Sequence, residues 1–248
     1  MNDNLRRTMK ELRLSGMESS IEIRLQEARA NNLDYDEFLE LALEDEMNVR
    51  KDRRIKRRIK SAGFPGNKTL DQFNWSFNHA INRKQVFNLA AGDFIRKGRD
   101  VLFIGPPGVG KTHLAQAIGL QAIKSGLSVY YRSIFDLVRD FLKDEVLEND
   151  NRVLKRYLTP ELLIIDDMGL KQLPKRSGEY LFEVIMRRYE NRSTIMTSNR
   201  PIEDWGKLIG DVPTAGAILD RFLENAEIIS ITGKSYRLKG TLANKVDK

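Results

Sequence analysis

Gly105-Pro106-Pro107-Gly108-Val109-Gly110-Lys111-Thr112 is the stretch that decides how this chain folds. It satisfies every fixed position of G-x-x-x-x-G-K-[ST], a loop whose backbone amides close around phosphates. Val101-Leu102-Phe103-Ile104 before it is a short apolar run of strand type, and Leu114, Ala115, Ala117 and Ile118 behind it open a helical pattern. The strand, loop and helix that the motif requires are therefore in order. The glycines let the backbone approach an anion at a helix N-terminus, where the dipole is positive. In that setting Lys111 reaches the β- and γ-phosphates of a nucleoside triphosphate, and Thr112 ligates Mg2+.

Working outward, four further strand candidates follow: Ser128 to Arg132, Leu162 to Ile165, Thr194 to Thr197 and Ile228 to Ile231, with helical patterns between them. Apolar strands separated by helices predict an α/β fold with a five-stranded, mostly parallel sheet covered on both faces. About seventeen residues follow Ile231, too few for another helical domain.

In such sheets ligands sit outside the C-terminal strand ends, and two of these strands end in polar residues. Leu162 to Ile165 runs into Asp166-Asp167, a Walker B arrangement in which Asp166 holds Mg2+ and Asp167 polarises the attacking water. Thr194 to Thr197 runs into Ser198-Asn199; Asn199 either orients that water or touches the γ-phosphate, or else it forms the turn before Arg200-Pro201. Farther on, Ile218, Leu219, Phe222 and Leu223 form an apolar helical stripe that leaves Arg221 on the polar side. An arginine presented in this way can enter a neighbouring subunit's site and neutralise developing phosphate charge.

The first part of the chain, residues 1–66, reads as a small all-helical domain. Leu5, Met9 and Leu12 fall at helical spacing, Ile21, Leu25 and Ala28 repeat it, and Phe38, Leu41 and Ala42 begin a third segment. Asp34 with Glu37 resembles a capping box at the start of that helix, and Gly63-Phe64-Pro65-Gly66 must stop it. Residues 67–77 read as a linker with aromatic anchors, and 78–248 as the nucleotide-binding domain.

The third helix carries Arg50-Lys51-Asp52-Arg53-Arg54-Ile55-Lys56-Arg57-Arg58-Ile59-Lys60, eight basic residues in eleven. At about 100° per residue, Asp52, Ile55 and Ile59 make one narrow stripe, and only that stripe can sit on protein. The remaining positive surface suits phosphate contacts with double-stranded DNA; neutralisation by the preceding acids is the alternative. Lys171, Lys175 and Arg176, after the Asp166-Asp167 strand, are a second set of DNA-contact candidates or an ordinary exposed loop.

A net charge of +7 favours polyanionic partners. The absence of cysteine excludes disulfides and thiolate metal sites, and two histidines are too few for a histidine metal cluster. No apolar run approaches the length of a membrane span and no signal-peptide pattern is visible, so a cytoplasmic location is expected.

Taken in order, Leu12-Arg13-Leu14-Ser15-Gly16-Met17, Gly105 to Thr112 with His113-Leu114-Ala115, Leu163 to Leu170, Arg192 to Asn199, Ala217 to Arg221 and Gly233-Lys234-Ser235-Tyr236-Arg237 resemble the IstB-type ATPases that accompany insertion-sequence transposases. These are AAA+ relatives of the DnaC helicase loaders. The resemblance implies an ATP-dependent homo-oligomer on DNA, with ATP sites at subunit interfaces, that recruits or activates a transposase. It implies that Asn199 is sensor 1, Arg221 the finger and Arg237 a second sensor, with His113 and Arg237 joining the loop around the nucleotide. Two departures from the wider AAA+ pattern stand out. Asp167 occupies a position where most members carry Glu, which implies slow hydrolysis with ATP acting mainly as an assembly switch. The C-terminal lid domain is missing. A helicase loader shares the ATPase motifs, and a structural DNA-binding protein would hold ATP without turning it over. A small-molecule kinase would need an acceptor-binding lid that the sequence does not show.

Overall fold

The computed structural model describes residues 2–146, 152–170 and 172–238. Residues up to Arg58 and those from Ile59 onward pack as two units.

The first unit is helical, built from α1 (Asp3–Glu11), α2 (Ser15–Asn31) and most of α3 (Tyr35–Ala62). The capping box forms: Glu37 N donates to Asp34 Oδ1 at 2.8 Å, and Asp34 N donates to Glu37 Oε2 at 3.1 Å. Met9, Ile21 and Ala42 make the small core, backed by Leu14, Met17, Leu25 and Phe38. Leu5 and Leu12, which share the spacing of Met9, are exposed instead; Leu12 lies just past the end of α1 at Glu11, where the chain turns at Arg13 with φ 56°. Gly16 permits the close approach of α2 and α3, since a Cβ there would lie 2.6 Å from Glu46 Cα. Glu46 then caps α2 by accepting from Gly16 N at 2.5 Å and Met17 N at 3.1 Å. Burial opposes its ionisation, but Arg50 and those two amides hold the carboxyl below the usual carboxylate range.

The second unit runs α4 (Arg83–Ala90), α5 (Asp93–Arg96), β1 (Asp100–Ile104), α6 (Lys111–Lys124), β2 (Val129–Ser133), α7 (Ile134–Val146), α8 (Arg152–Leu158), β3 (Leu162–Met168), α9 (Ser177–Arg188), β4 (Ser193–Ser198), α10 (Trp205–Ile209), α11 (Val212–Glu224) and β5 (Ala226–Ser230). The five strands pair in parallel in the order β2-β3-β4-β1-β5. On one face Leu102, Leu163, Ile165 and Met196 pack with Leu137, Phe141, Tyr157, Leu181, Trp205 and Phe222. On the other lies α6, so close that a Cβ on Gly119 would meet Ile164 Cδ1 at 2.7 Å. Burial on both faces is why the central strands are continuously apolar rather than alternating.

Two strands differ from the sequence expectation by more than one residue at an end. β3 continues through Asp166 and Asp167 to Met168, with a register shift between its pairings Ile165 to Met196 and Met168 to Ser198. Three steps along β3 therefore match two along β4, which is a β-bulge. β5 begins at Ala226, two residues ahead of Ile228, and is an edge strand with Glu227 and Ile228 exposed. Beyond it the described residues reach Leu238 through one 3-10 turn, Tyr236–Leu238.

Below the strand starts, Arg188 is buried and donates to the carbonyls of Tyr157 (2.8 Å), Pro160 (3.0 Å) and Ser193 (2.5 Å) and to Thr194 Oγ1 (3.1 Å). Burial pulls its guanidinium down to about 9, against the pull of Asp100. Asp100 Oδ1 accepts from Thr194 N at 2.6 Å, tying β1 to β4. Its carboxyl is pushed up to about 7 by burial, opposed by that amide and by Arg188.

Candidate nucleotide site

The phosphate loop joins β1 to α6 beside β4 and β5. Gly108 has φ +83°, and a Cβ on it would fall 2.0 Å from Ser235 Oγ. Its carbonyl accepts from Tyr236 N at 2.9 Å, so the segment after β5 is laid directly against the loop. Gly110 has φ +113°, and the Phe73 ring lies where its Cβ would be, at 2.8 Å.

Lys111 is 5% exposed. Its Nζ donates to Gly105 O at 2.7 Å, Pro106 O at 2.9 Å and Asn199 Oδ1 at 2.7 Å, which brings the lysine and the β4 amide together. Burial pulls the ammonium down to about 8; Asp166 and Asp167 resist this and Arg237 adds to it.

Asp166 is fully buried and accepts from three hydroxyls. Thr112 Oγ1 donates to Oδ1 at 3.0 Å, Thr197 Oγ1 donates to the same oxygen, and Tyr131 OH donates to Oδ2 at 2.5 Å. Asp167 follows at φ 65°, with its N–H donating to Thr197 Oγ1 at 3.1 Å. Burial and the neighbouring Asp166 push the Asp167 carboxyl above its ordinary value, against Arg237 and Lys111. Asn199 is fixed by its own N–H to Met168 O at 2.8 Å. A hydroxyl and a carboxylate side by side are the hard oxygen donors that Mg2+ prefers, and Mg2+ usually takes only one or two protein carboxylates beside nucleotide phosphates. Thr112 and Asp166 fit that role, and among the described residues no larger cluster of metal-ligating side chains occurs.

These groups open on one cavity of about 710 Å³, lined by Pro107 to His113, Asp167, Asn199 and Arg237, and walled by Phe73, Phe77 and Tyr236. That is the size range of a nucleotide pocket. Phe77 and Tyr236 meet edge to face at 4.9 Å, and Phe73 meets His113 at 5.1 Å. His113 is also engaged by residues 67–77, with Nε2 2.7 Å from Thr69 O. A second cavity, about 630 Å³, opens at the starts of β1 and β5 among Lys97, Arg99 and Glu224 and contains none of the sequence-predicted site residues.

The remaining predicted residues lie elsewhere. Arg221 does not line the nucleotide cavity; it is exposed, 3.6 Å from Glu224 and 5.5 Å from the Tyr189 ring centre. Arg176 pairs with Glu145 at 3.0 Å and Glu179 at 3.1 Å, and Lys175 is exposed. Lys171 lies outside the described residues. In the basic run, Lys51, Arg54, Lys56, Arg57 and Lys60 are exposed, Arg58 is half-buried, Arg50 pairs with Glu46 at 2.6 Å and Arg53 donates to Ser15 Oγ at 2.5 Å. Asp52 is exposed, so the inward stripe reduces to the half-buried Ile55 and Ile59.

The profile of the IstB-like ATP binding proteins matches residues 7–244. The chain belongs to this family. It is 38% identical over 228 residues to the insertion sequence IS21 putative ATP-binding protein of Pseudomonas aeruginosa, covering 92% of this chain and 86% of that relative. To the insertion sequence IS5376 putative ATP-binding protein of Geobacillus stearothermophilus it is 38% identical over 212 residues, covering 86% and 84%. Among solved structures the DnaC helicase loader superposes with a TM-score of 0.54 at 25% identity, over 71% of this chain and 99% of that one. AMPPCP-bound DnaA from Aquifex aeolicus gives 0.55 at 22% identity, over 73% and 55%, a likeness of fold alone. This member of the IstB-like family therefore has the AAA+ P-loop fold, and ATP is its ligand by family. Among the described residues no helix is long and apolar enough to cross a membrane.

Sequence reading missed Thr197 and Tyr131, which hold Asp166, and gave no role to Tyr236, whereas Phe73 and Phe77 fall in the stretch read as a linker with aromatic anchors. The available signal was a hydroxyl residue within an otherwise apolar buried strand, as at Thr197.

Proposed function

We propose that this protein is a Mg2+-dependent ATPase that assembles as a homo-oligomer on double-stranded DNA and recruits or stimulates the transposase of its insertion sequence. The observation that carries this reading is the convergence of Lys111, Thr112, Asp167 and Asn199 on one nucleotide-sized cavity, with Asp166 buried behind it against Thr112, while Arg221 lies exposed outside it. The loop amides and Lys111 hold the phosphates, and Thr112 and Asp166 would hold Mg2+, which would supply neutralisation of phosphate charge. Asp167 accepts a hydrogen bond from the attacking water, and Asn199 orients that water. Arg221 reaches a neighbouring subunit's nucleotide, and Arg237 senses the phosphates from the wall of its own cavity. The relatives' names, insertion-sequence ATP-binding proteins, support the transposition setting.

On this reading residues 1–66 make the partner and DNA contacts, 67–77 are the linker that closes over the nucleotide, and 78–248 are the ATPase domain, working in the cytoplasm. The exposed cations of α3, with Lys171, Lys175 and Arg176 as a second set, touch DNA phosphates. The fold shared with the DnaC helicase loader favours a second reading, a replicative helicase loader; pull-down against a transposase and a helicase separates the two.

The test is Lys111→Ala. Loss of a charge-assisted contact worth about 1.5–3 kcal/mol predicts a roughly tenfold to hundredfold weaker grip on a fluorescent ATP analogue, and no ATP-driven assembly on duplex DNA. Wild-type affinity in this variant would refute the site.

A further inference from the structure

Asp166 is held at both carboxylate oxygens, and the two holds come from different parts of the fold. Oδ1 faces the phosphate-loop side, where Thr112 Oγ1 donates at 3.0 Å and Thr197 Oγ1 also donates. Oδ2 faces β2, where Tyr131 OH donates at 2.5 Å. Tyr131 is 7% exposed, and its ring stands 5.9 Å from that of Phe64. Its hydroxyl is also hydrogen-bonded by Gln116, which lies on α6 one turn beyond Thr112. A phenol has one proton, and this one goes to Asp166, so Gln116 must donate through its amide NH2. The orphaned atom agrees: Gln116 is 3% exposed, and its Oε1 has no hydrogen-bond partner among the described residues.

We propose that Tyr131, aimed by Gln116, is a positioning residue that locks the Asp166 carboxylate so that Asp166 and Thr112 present a preset pair of oxygens to Mg2+. The inference rests on the reading of Asp166 as the metal-holding acid. With an anchor on each oxygen the carboxylate cannot turn about its Cβ–Cγ bond. Without Tyr131 OH, Oδ2 is a buried, unpaired acceptor, and only the two hydroxyls at Oδ1 still hold the group. Outer partners of this kind typically change metal affinity about 10–100-fold when removed.

The experiment compares Tyr131→Phe, Gln116→Leu and Asp166→Asn with the wild-type full-length chain. Binding of a fluorescent ATP analogue is titrated against Mg2+ and, separately, measured in EDTA, and Mn2+ binding to the nucleotide complex is followed by electron paramagnetic resonance. Tyr131→Phe keeps the ring and the packing. It should raise the half-saturating Mg2+ and Mn2+ concentrations about tenfold or more and leave affinity in EDTA at the wild-type value. Gln116→Leu should shift the metal dependence in the same direction by less, because the hydroxyl remains but is no longer aimed; it also stands as the test if Tyr131→Phe does not fold. Metal dependence at wild-type values in both variants, with Asp166→Asn displaced, overturns the positioning role and leaves the reading of Asp166 intact. If Asp166→Asn is not displaced either, that reading fails and the positioning role fails with it. Equal weakening with and without metal means that Tyr131 only packs, and likewise overturns the proposal.

Discussion

Asp100→Asn tests how the strand that delivers the phosphate loop is fixed in place. Asp100 begins β1, five residues before Gly105, and its Oδ1 accepts from Thr194 N of β4, the strand that leads to Asn199. Burial pushes its carboxyl from the usual 3.8 to about 7. The folded state therefore holds a proton here that the unfolded state has released between about pH 4 and pH 7, and stability falls as pH rises through that window. The full difference, about three pH units at about 1.4 kcal/mol each, is on the order of 4 kcal/mol. Between pH 5 and pH 8 the group contributes a loss of about 2.5 kcal/mol. Asn keeps the acceptor for Thr194 N and removes the titration. Arg188, pulled down to about 9, begins to titrate only above this range, and Asp167 contributes equally to both proteins. Urea unfolding at pH 5, 6, 7 and 8 should thus show a wild-type minus variant difference that falls by about 2.5 kcal/mol across the series. A difference that stays flat within about 0.5 kcal/mol would mean that Asp100 is ionised throughout, and the account of β1 anchoring by a protonated acid would be wrong.

Two further outcomes follow from where the cations lie. Arg221→Ala should bind a fluorescent ATP analogue like the wild type, because Arg221 is exposed outside its own cavity, yet lose hydrolysis about a thousandfold or more. Mixing it with Lys111→Ala should restore part of the turnover at hybrid interfaces, and no recovery at any ratio, with mixed oligomers confirmed, counts against action in trans. Replacing Lys51, Arg54, Lys56 and Arg57, all exposed on α3, by Gln should flatten the salt dependence of duplex binding by up to about 3.6 in log–log slope, while nucleotide affinity stays unchanged. An unchanged slope would remove α3 from the DNA surface.

The parts of this molecule that were legible in the sequence are those whose determinants are local. A loop motif between an apolar strand and a helix needs only neighbouring residues to be recognised, and so does the Asp34 and Glu37 capping box, which forms as read. The buried parallel strands announce themselves because both faces are covered. The grip on Asp166 was not legible, because Tyr131 and Thr197 stand 35 and 31 residues away along the chain and meet it only through strand order. The cavity walls are equally remote from the loop: Phe73 precedes it and Tyr236 follows the last strand.

The bulge in β3 shows why the two adjacent acids can serve one site. Regular strand alternation sends consecutive side chains to opposite faces, which would bury Asp166 toward α6 and turn Asp167 away from the nucleotide. The extra residue between Ile165 and Met168 breaks that alternation, and Asp167, at φ 65°, lines the cavity beside Lys111 and Asn199. Thr197 Oγ1 makes the irregular backbone tolerable, because it accepts the Asp167 N–H at 3.1 Å while donating to Asp166. A left-handed backbone is costly for most side chains, and among residues other than glycine it is visited chiefly by Asn and Asp, whose short polar groups bond locally. That gives a physical reason for Asp167 at a position where the resemblance to AAA+ proteins leads one to expect Glu: the shorter acid suits the backbone that the bulge imposes.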